Sequence, residues 1–244
     1  MSSTPEFDNS PTRSAASKAR VRITAWPLWA VLSGIAGTIG TVATDLRPDA
    51  GTEAIAHNRD HVVVPADMIG LDPTLARIGF LAGLVSILAL VFFAAAWRRH
   101  VEPLAFRSTA AFAVSIGLIA SAGALILGYG WRGALANYLG PEAGLYDEDG
   151  LFVYYMLTDF GAYIPWTGLI ASALALAWMA WMDRNVSLIL GTFSAVTGIG
   201  ALGAVVASGV PGLPGIFMPI WLAVTGIWLA VGRSPITNAA EGAI

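Results

Sequence analysis

The sequence predicts an all-α integral membrane protein: a bundle of six transmembrane helices, both termini cytoplasmic, with two sizeable outer loops. The first observation behind this is a pair of apolar runs at 78–97 and 110–129. Each has about 20 residues, the length an α-helix needs to cross roughly 30 Å of hydrocarbon. The second is composition. The 244 residues are 56% hydrophobic and 12% charged, where an ordinary soluble domain is about 25% charged, and mean hydropathy is +0.69. A soluble fold needs a polar skin that this chain cannot supply. The third is charge asymmetry. On the predicted topology nine of the thirteen Lys and Arg lie on the side of the basic hinge 98–107, and eleven of the sixteen Asp and Glu lie on the other. The positive-inside rule places the hinge and both termini in the cytoplasm.

Residues 1–22 are rich in Ser, Thr, Pro and Ala without apolar periodicity, and predict a disordered cytoplasmic tail. The membrane domain covers 23–231. Its first span, 23–43, is too long for the apolar region of a cleaved signal. Ser33, Gly37 and Thr41 stand four apart in it, with Gly34 and Gly40 beside them, a small-residue face that lets helices approach closely. Packing inside the bundle is the plainer use of that face, homo-oligomerisation the sharper one. A polar connection over 44–77 follows, with a short helix expected around Glu53–His61. The second and third spans are 78–97 and 110–129. A second outer loop, over 130–166 with the start of the next span, carries Glu142, Asp147, Glu148, Asp149 and Asp159. Tyr129 and Trp131 are assigned to the aromatic belt at the headgroup level. The remaining spans are 162–182, 186–207 and 213–231, with a tight turn at 183–185, a Gly/Pro turn at 208–215 and a short tail over 232–244. Halves of three spans would be inverted relative to one another, but no motif repeats between them.

The passages 75–99 and 188–229 resemble bacterial six-helix integral membrane families of unknown function. The likeness lies in Arg77-Ile78-Gly79 at the entry of the second span, and in Pro219-Ile220-Trp221-Leu222 with Gly226 in the last. It implies the same architecture and brings no activity. One Lys against twelve Arg in an Ala-rich chain points to a bacterial source and hence a plasma membrane.

The absence of cysteine excludes disulfides, thiolate metal sites and cysteine nucleophiles. No Asp, Glu, Lys, Arg or His stands in the middle of any span, where ion-coupled transporters carry such residues. Gly198, Gly200 and Gly203 spell a GxGxxG, but no strand precedes them, so they read as helix packing. Two constellations remain. His57 and His61 at i, i+4 would make a Zn²⁺ half-site on one helix face, with Asp60 and Asp67 to complete it; two ordinary solvated histidines are the plainer reading, with no cofactor. At the outer ends of the spans, Asp45, Arg77, Arg132 and Asp159 should share one depth with Tyr163, either as a structural ion-pair clasp (Asp159 with Arg77 or Arg132) or as a polar mouth that binds a small anion or lipid headgroup.

Two functions stay open. One is a non-catalytic membrane component that binds a partner protein or lipid, or supports a larger complex, with no nucleic-acid partner. The other is a membrane enzyme or small-solute transporter with its site at the mouth formed by loops 44–77 and 130–166.

Overall fold

The computed structural model describes residues 24–57, 59–232 and 234–237, and among these all regular structure is helical. Eight helices follow in order: α1 (Leu28–Thr38), α2 (Asp49–Ala56), α3 (Pro73–His100), α4 (Thr109–Leu139), α5 (Glu148–Gly161), α6 (Gly168–Trp181), α7 (Leu188–Ser208) and α8 (Pro214–Val231). By length and apolarity α3, α4, the α5–α6 unit, α7 and α8 are each able to cross a membrane; α1 with the π turn Ile39–Ala43 that continues it is shorter. The chain is therefore a multi-pass membrane protein by its helices.

Local chemistry sets the boundaries. Pro27 immediately precedes α1. Asp72 caps α3 by accepting the Thr74 N–H at 2.8 Å, with Pro73 as the first helical residue, where its missing N–H has no cost. Ser108 caps α4, and Asp147 accepts the Gly150 N–H at 2.9 Å at the start of α5. Gly209 ends α7 at φ 72°, a conformation that favours glycine.

The long helices form a closed ring: α1 lies between α3 and α8, α3 packs on α4, α4 on α6, α6 on α7 and α7 on α8. One end of the ring, the hinge end, carries the connections 101–108 and 182–187; the other, the loop end, carries 44–72 and 140–147. Hydrocarbon offers helices no hydrophobic reason to associate, so packing and hydrogen bonds must hold them. Nearly every neighbouring pair has such a bond. Ser33 and Ser86 each donate to the other's backbone carbonyl at 2.9 Å, joining α1 to α3. Trp97 Nε1 donates to Ala111 O at 3.0 Å between α3 and α4. Ser172 Oγ donates to Val114 O at 2.9 Å between α6 and α4, and Trp221 Nε1 donates to Ser194 Oγ at 3.0 Å between α8 and α7. The α1–α8 contact is made by close approach instead: a Cβ on Gly34 would stand 2.5 Å from the Ala223 backbone nitrogen.

Several sequence expectations shift. The first helix starts at Leu28 rather than 23. The third span does not stop at 129: α4 runs on to Leu139, so of the expected loop only 140–147 and the turn residues 162–163 lack a helix. Tyr129 is consequently interior, 1% exposed, and not part of an interfacial belt. The fourth span is two helices, α5 and α6, joined through a 3-10 turn at Ile164–Thr167. The short helix expected around Glu53–His61 is Asp49–Ala56. At the loop end a small second core of Leu46, Met68, Leu71, Ala76, Leu135, Ala136 and Tyr155 packs the extended end of α4 against α5 and the 44–72 connection. The tail 1–22 lies outside the described residues. Of the GxGxxG, Gly198 does pack on Ala173 and Leu174 of α6, while Gly200 and Gly203 face open space.

The glycines yield a contrast. A Cβ on Gly83 would collide with the Tyr129 ring, and on Gly34 with the α8 backbone, whereas one on Gly123 or Gly200 would meet nothing within 4 Å. We expect Gly34→Ala and Gly83→Ala to cost about 1–3 kcal/mol through overpacking. Gly123→Ala and Gly200→Ala should be neutral or slightly stabilising, since alanine favours a helix by about 1 kcal/mol. Thermal unfolding in detergent checks both; equal effects at all four positions would contradict the packing described.

Candidate functional site

The polar residues of the loop end fall in two layers, one buried and one open. The buried layer centres on Thr41, which is fully inaccessible. Trp166 Nε1 donates to its Oγ1 at 3.2 Å, the hydroxyl donates to Ala162 O at 3.3 Å, and Tyr129 OH lies 2.7 Å away. The Tyr129 hydroxyl also reaches Gly37 O at 3.5 Å, so either hydroxyl can donate across the 2.7 Å contact. Three partners thus surround the threonine hydroxyl.

Directly beyond lies Arg132, 3% exposed. Its Nη1 donates to Gly40 O at 2.5 Å, and its Nε–H, also buried, has no hydrogen-bond partner among the described residues. The carbonyl it takes belongs to the π turn, where Thr44 N reaches back to Ile39 O at 3.1 Å and the Thr44 hydroxyl to the same oxygen at 2.8 Å. Widening of the last turn of α1 leaves the Gly40 carbonyl turned toward the guanidinium. Gly79 makes room for it: a Cβ there would stand 2.6 Å from both Arg132 Nε and Thr44 Oγ1. Isolated π turns inside helices recur at functional sites.

The open layer begins at Asp45. Its Oδ1 accepts the Tyr163 hydroxyl at 2.9 Å and its Oδ2 the Arg47 Nε–H at 2.8 Å; the nearby carboxylate strengthens the hold of Arg47 on its proton. Above this pair a hollow of about 220 Å³ is lined by Arg47, Gly51, His61, Val63, Tyr155 and Asp159. Asp159 has no hydrogen bond and no ion pair among the described residues.

The structure thus brings Asp45 and Tyr163 into direct contact, and puts Arg132 beneath them and Asp159 at the rim. Arg77 stands apart, exposed on the side of α3 in a separate hollow with Phe80, Gly133 and Asn137. The clasp is not made: neither Arg77 nor Arg132 pairs with Asp159, because Arg132 turns inward to α1 and Arg77 faces away on α3. Arg47, which the sequence reading left out, is the cation that pairs. It is separated by one residue from Asp45 and directly precedes Pro48, which is the only sequence signal for a tight turn bringing the two together.

The two histidines do not share a helix face, since α2 ends at Ala56 before His57. His61 Nε2 lies 2.9 Å from Asp67 Oδ2, which also accepts the Val64 N–H at 2.9 Å. These two bonds, that of Val64 first, hold the Asp67 carboxyl below the usual carboxylate range. Among the described residues no three His, Asp or Glu converge as a metal-binding group. No family model, curated protein or solved structure matches the chain.

Asp45 and Asp159 should behave oppositely. We expect Asp45→Asn to lower stability by about 1–2 kcal/mol, mainly by removing charge from the partly buried bond to Tyr163, because the exposed Arg47 pair contributes about 0–1 kcal/mol. Asp159→Asn should leave the melting temperature unchanged. A loss at Asp159 matching that at Asp45 would show a partner that this arrangement lacks.

Proposed function

We propose that the chain is a non-catalytic component of a bacterial plasma membrane, crossing it six times with both termini cytoplasmic, and binding a partner protein or lipid or supporting a larger complex. The observation that carries this reading is the use to which interior polar groups are put. Ser33, Ser86, Ser172, Ser194, Thr41, Tyr129, Trp97, Trp166 and Trp221 all hydrogen-bond from one segment of the bundle to another. They hold a scaffold together rather than converging on an open cavity where substrate or ion could bind.

The six-span count is supported by where α1 begins and ends. Trp26 stacks on His100 at 5.7 Å at the hinge end, and a Cβ on Gly40 would stand 3.1 Å from Gly79 O at the loop end. The stretch of α3 between His100 and Gly79 is roughly 30 Å long at about 1.5 Å per residue, a hydrocarbon thickness. The short helix and its flanking residues cover that distance beside α3. Charge asymmetry supports the orientation.

One observation favours a second reading. The 44–72 connection and α5 together line the 220 Å³ hollow, and Asp159 offers it a carboxylate without a partner among the described residues. In that reading the loop end binds a small charged solute for transport or chemistry.

Purification from native membranes in mild detergent, followed by mass spectrometry, separates the two. A near-stoichiometric protein partner or tightly held phospholipid is the expected result. A chain that retains neither, yet is thermally stabilised by a small charged solute with the effect lost in Asp159→Asn, would replace the first reading by the second.

A further inference from the structure

At the hinge end, the first turns of α4 and the last turns of α6 do not close on one another. Ala110 and Ala113 on α4 and Ala175 on α6 are too small to fill the space between, and Leu174 and Trp178 wall a groove of about 460 Å³. That volume lies within the range of small-molecule sites, about 300–1,000 Å³. The groove opens on the side of the bundle that faces hydrocarbon, where Trp178 is 57% exposed. Its polar end is formed by Arg107, Ser108 and Asp183, and the same three residues begin a second hollow of about 310 Å³ that runs toward Phe106 and Asn185.

The polar end carries one charge of each sign, and neither cancels the other. Arg107 has no carboxylate partner among the described residues; its guanidinium lies 5.3 Å from the centre of the Phe106 ring. Asp183 Oδ2 accepts the Ser108 hydroxyl, and its other oxygen has no hydrogen bond among the described residues. A purely anionic headgroup would meet Arg107 but be repelled by Asp183. A headgroup with a phosphate and a primary ammonium satisfies both, while one acyl chain takes the alanine-lined groove. A quaternary ammonium has no N–H to give the carboxylate.

We propose that this groove binds a phospholipid with a primary-amine headgroup, of the phosphatidylethanolamine class: phosphate at Arg107, ammonium at Asp183, acyl chain along Ala110, Ala113 and Trp178. The inference rests on the membrane and lipid-binding reading above and names the lipid and its place. Trp178 and Trp181, both exposed at this end, stand where interfacial aromatics anchor a helix.

The test titrates delipidated protein in detergent with three lipids of identical acyl chains bearing ethanolamine, choline or glycerol headgroups, and reads bound lipid by native mass spectrometry. Ethanolamine should bind about tenfold tighter than either alternative, the size of one charge-assisted contact. Asp183→Asn should erase the preference over choline, and Arg107→Gln should weaken both zwitterionic lipids. Ala113→Phe removes no hydrogen bond, fills the groove and should weaken all three; a melting temperature equal to that of the parent shows that each variant is folded. Equal binding of the three headgroups, preference for glycerol, or unchanged binding to folded Ala113→Phe would overturn the site. A chain that fails this test but keeps a stoichiometric protein partner overturns the lipid site alone; one that keeps neither partner nor lipid overturns the broader reading with it.

Discussion

The Thr41 hydroxyl is the contact on which the arrangement of the bundle depends. In hydrocarbon a polar group that finds no protein partner stays unsatisfied, as the buried Thr225 hydroxyl does among the described residues, whereas Thr41 stands where partners converge. Here they come from α4 (Tyr129), from the turn after α5 (Ala162) and from the 3-10 turn leading into α6 (Trp166). One hydroxyl therefore fixes the rotation of α1 against two other segments of the ring. Its neighbours conform to it: Gly37 lets the Trp166 ring approach α1, and Gly83 leaves the space on α3 that the Tyr129 ring fills.

From that junction the loop end follows. Thr41 is held within the π turn Ile39–Ala43, and the neighbouring Gly40 carbonyl of the same turn meets Arg132. The long side chain of Arg132 is buried within reach of the bundle's polar end, where a charge costs less than at mid-membrane. Asp45, two residues past the π turn, is thereby set against Tyr163 and Arg47. Interior threonine, buried arginine and open carboxylate form one continuous descent from loop to core.

Much of this architecture is legible in the chain, and the rest fails to show for identifiable reasons. The apolar runs 186–207 and 213–231 match α7 and α8 to within two residues at each boundary, because hydrophobic length is a local property. The small-residue face Ser33, Gly37, Thr41 was read as packing within the bundle, and each of these residues is buried there. The sequence reading did not foresee that α4 continues ten residues past Tyr129, since Gly130, Arg132 and Gly133 look like a stop. They continue the helix: Gly133 admits the Phe80 ring, and Arg132 finds a carbonyl on a segment 92 residues away. The partner choices at the loop end were misjudged likewise. Asp45 pairs with Arg47 through a local turn, whereas charge spacing points to a pair of Asp159 with Arg77 or Arg132, and neither of those is made among the described residues. Such pairings depend on tertiary direction, which composition does not encode.

The proposed six-span arrangement turns on α1, which packs in the ring with the five longer spans although only Leu28–Ala43 of this segment is helical. Site-directed labelling with a membrane-impermeant probe tests it most directly, using single cysteines introduced on either side of α1, at Ala25 and at Asp60, into a chain that has no cysteine of its own. The account predicts that Asp60 labels from outside intact cells and that Ala25 labels only after lysis. Labelling of Ala25 in intact cells, or protection of Asp60, would contradict it.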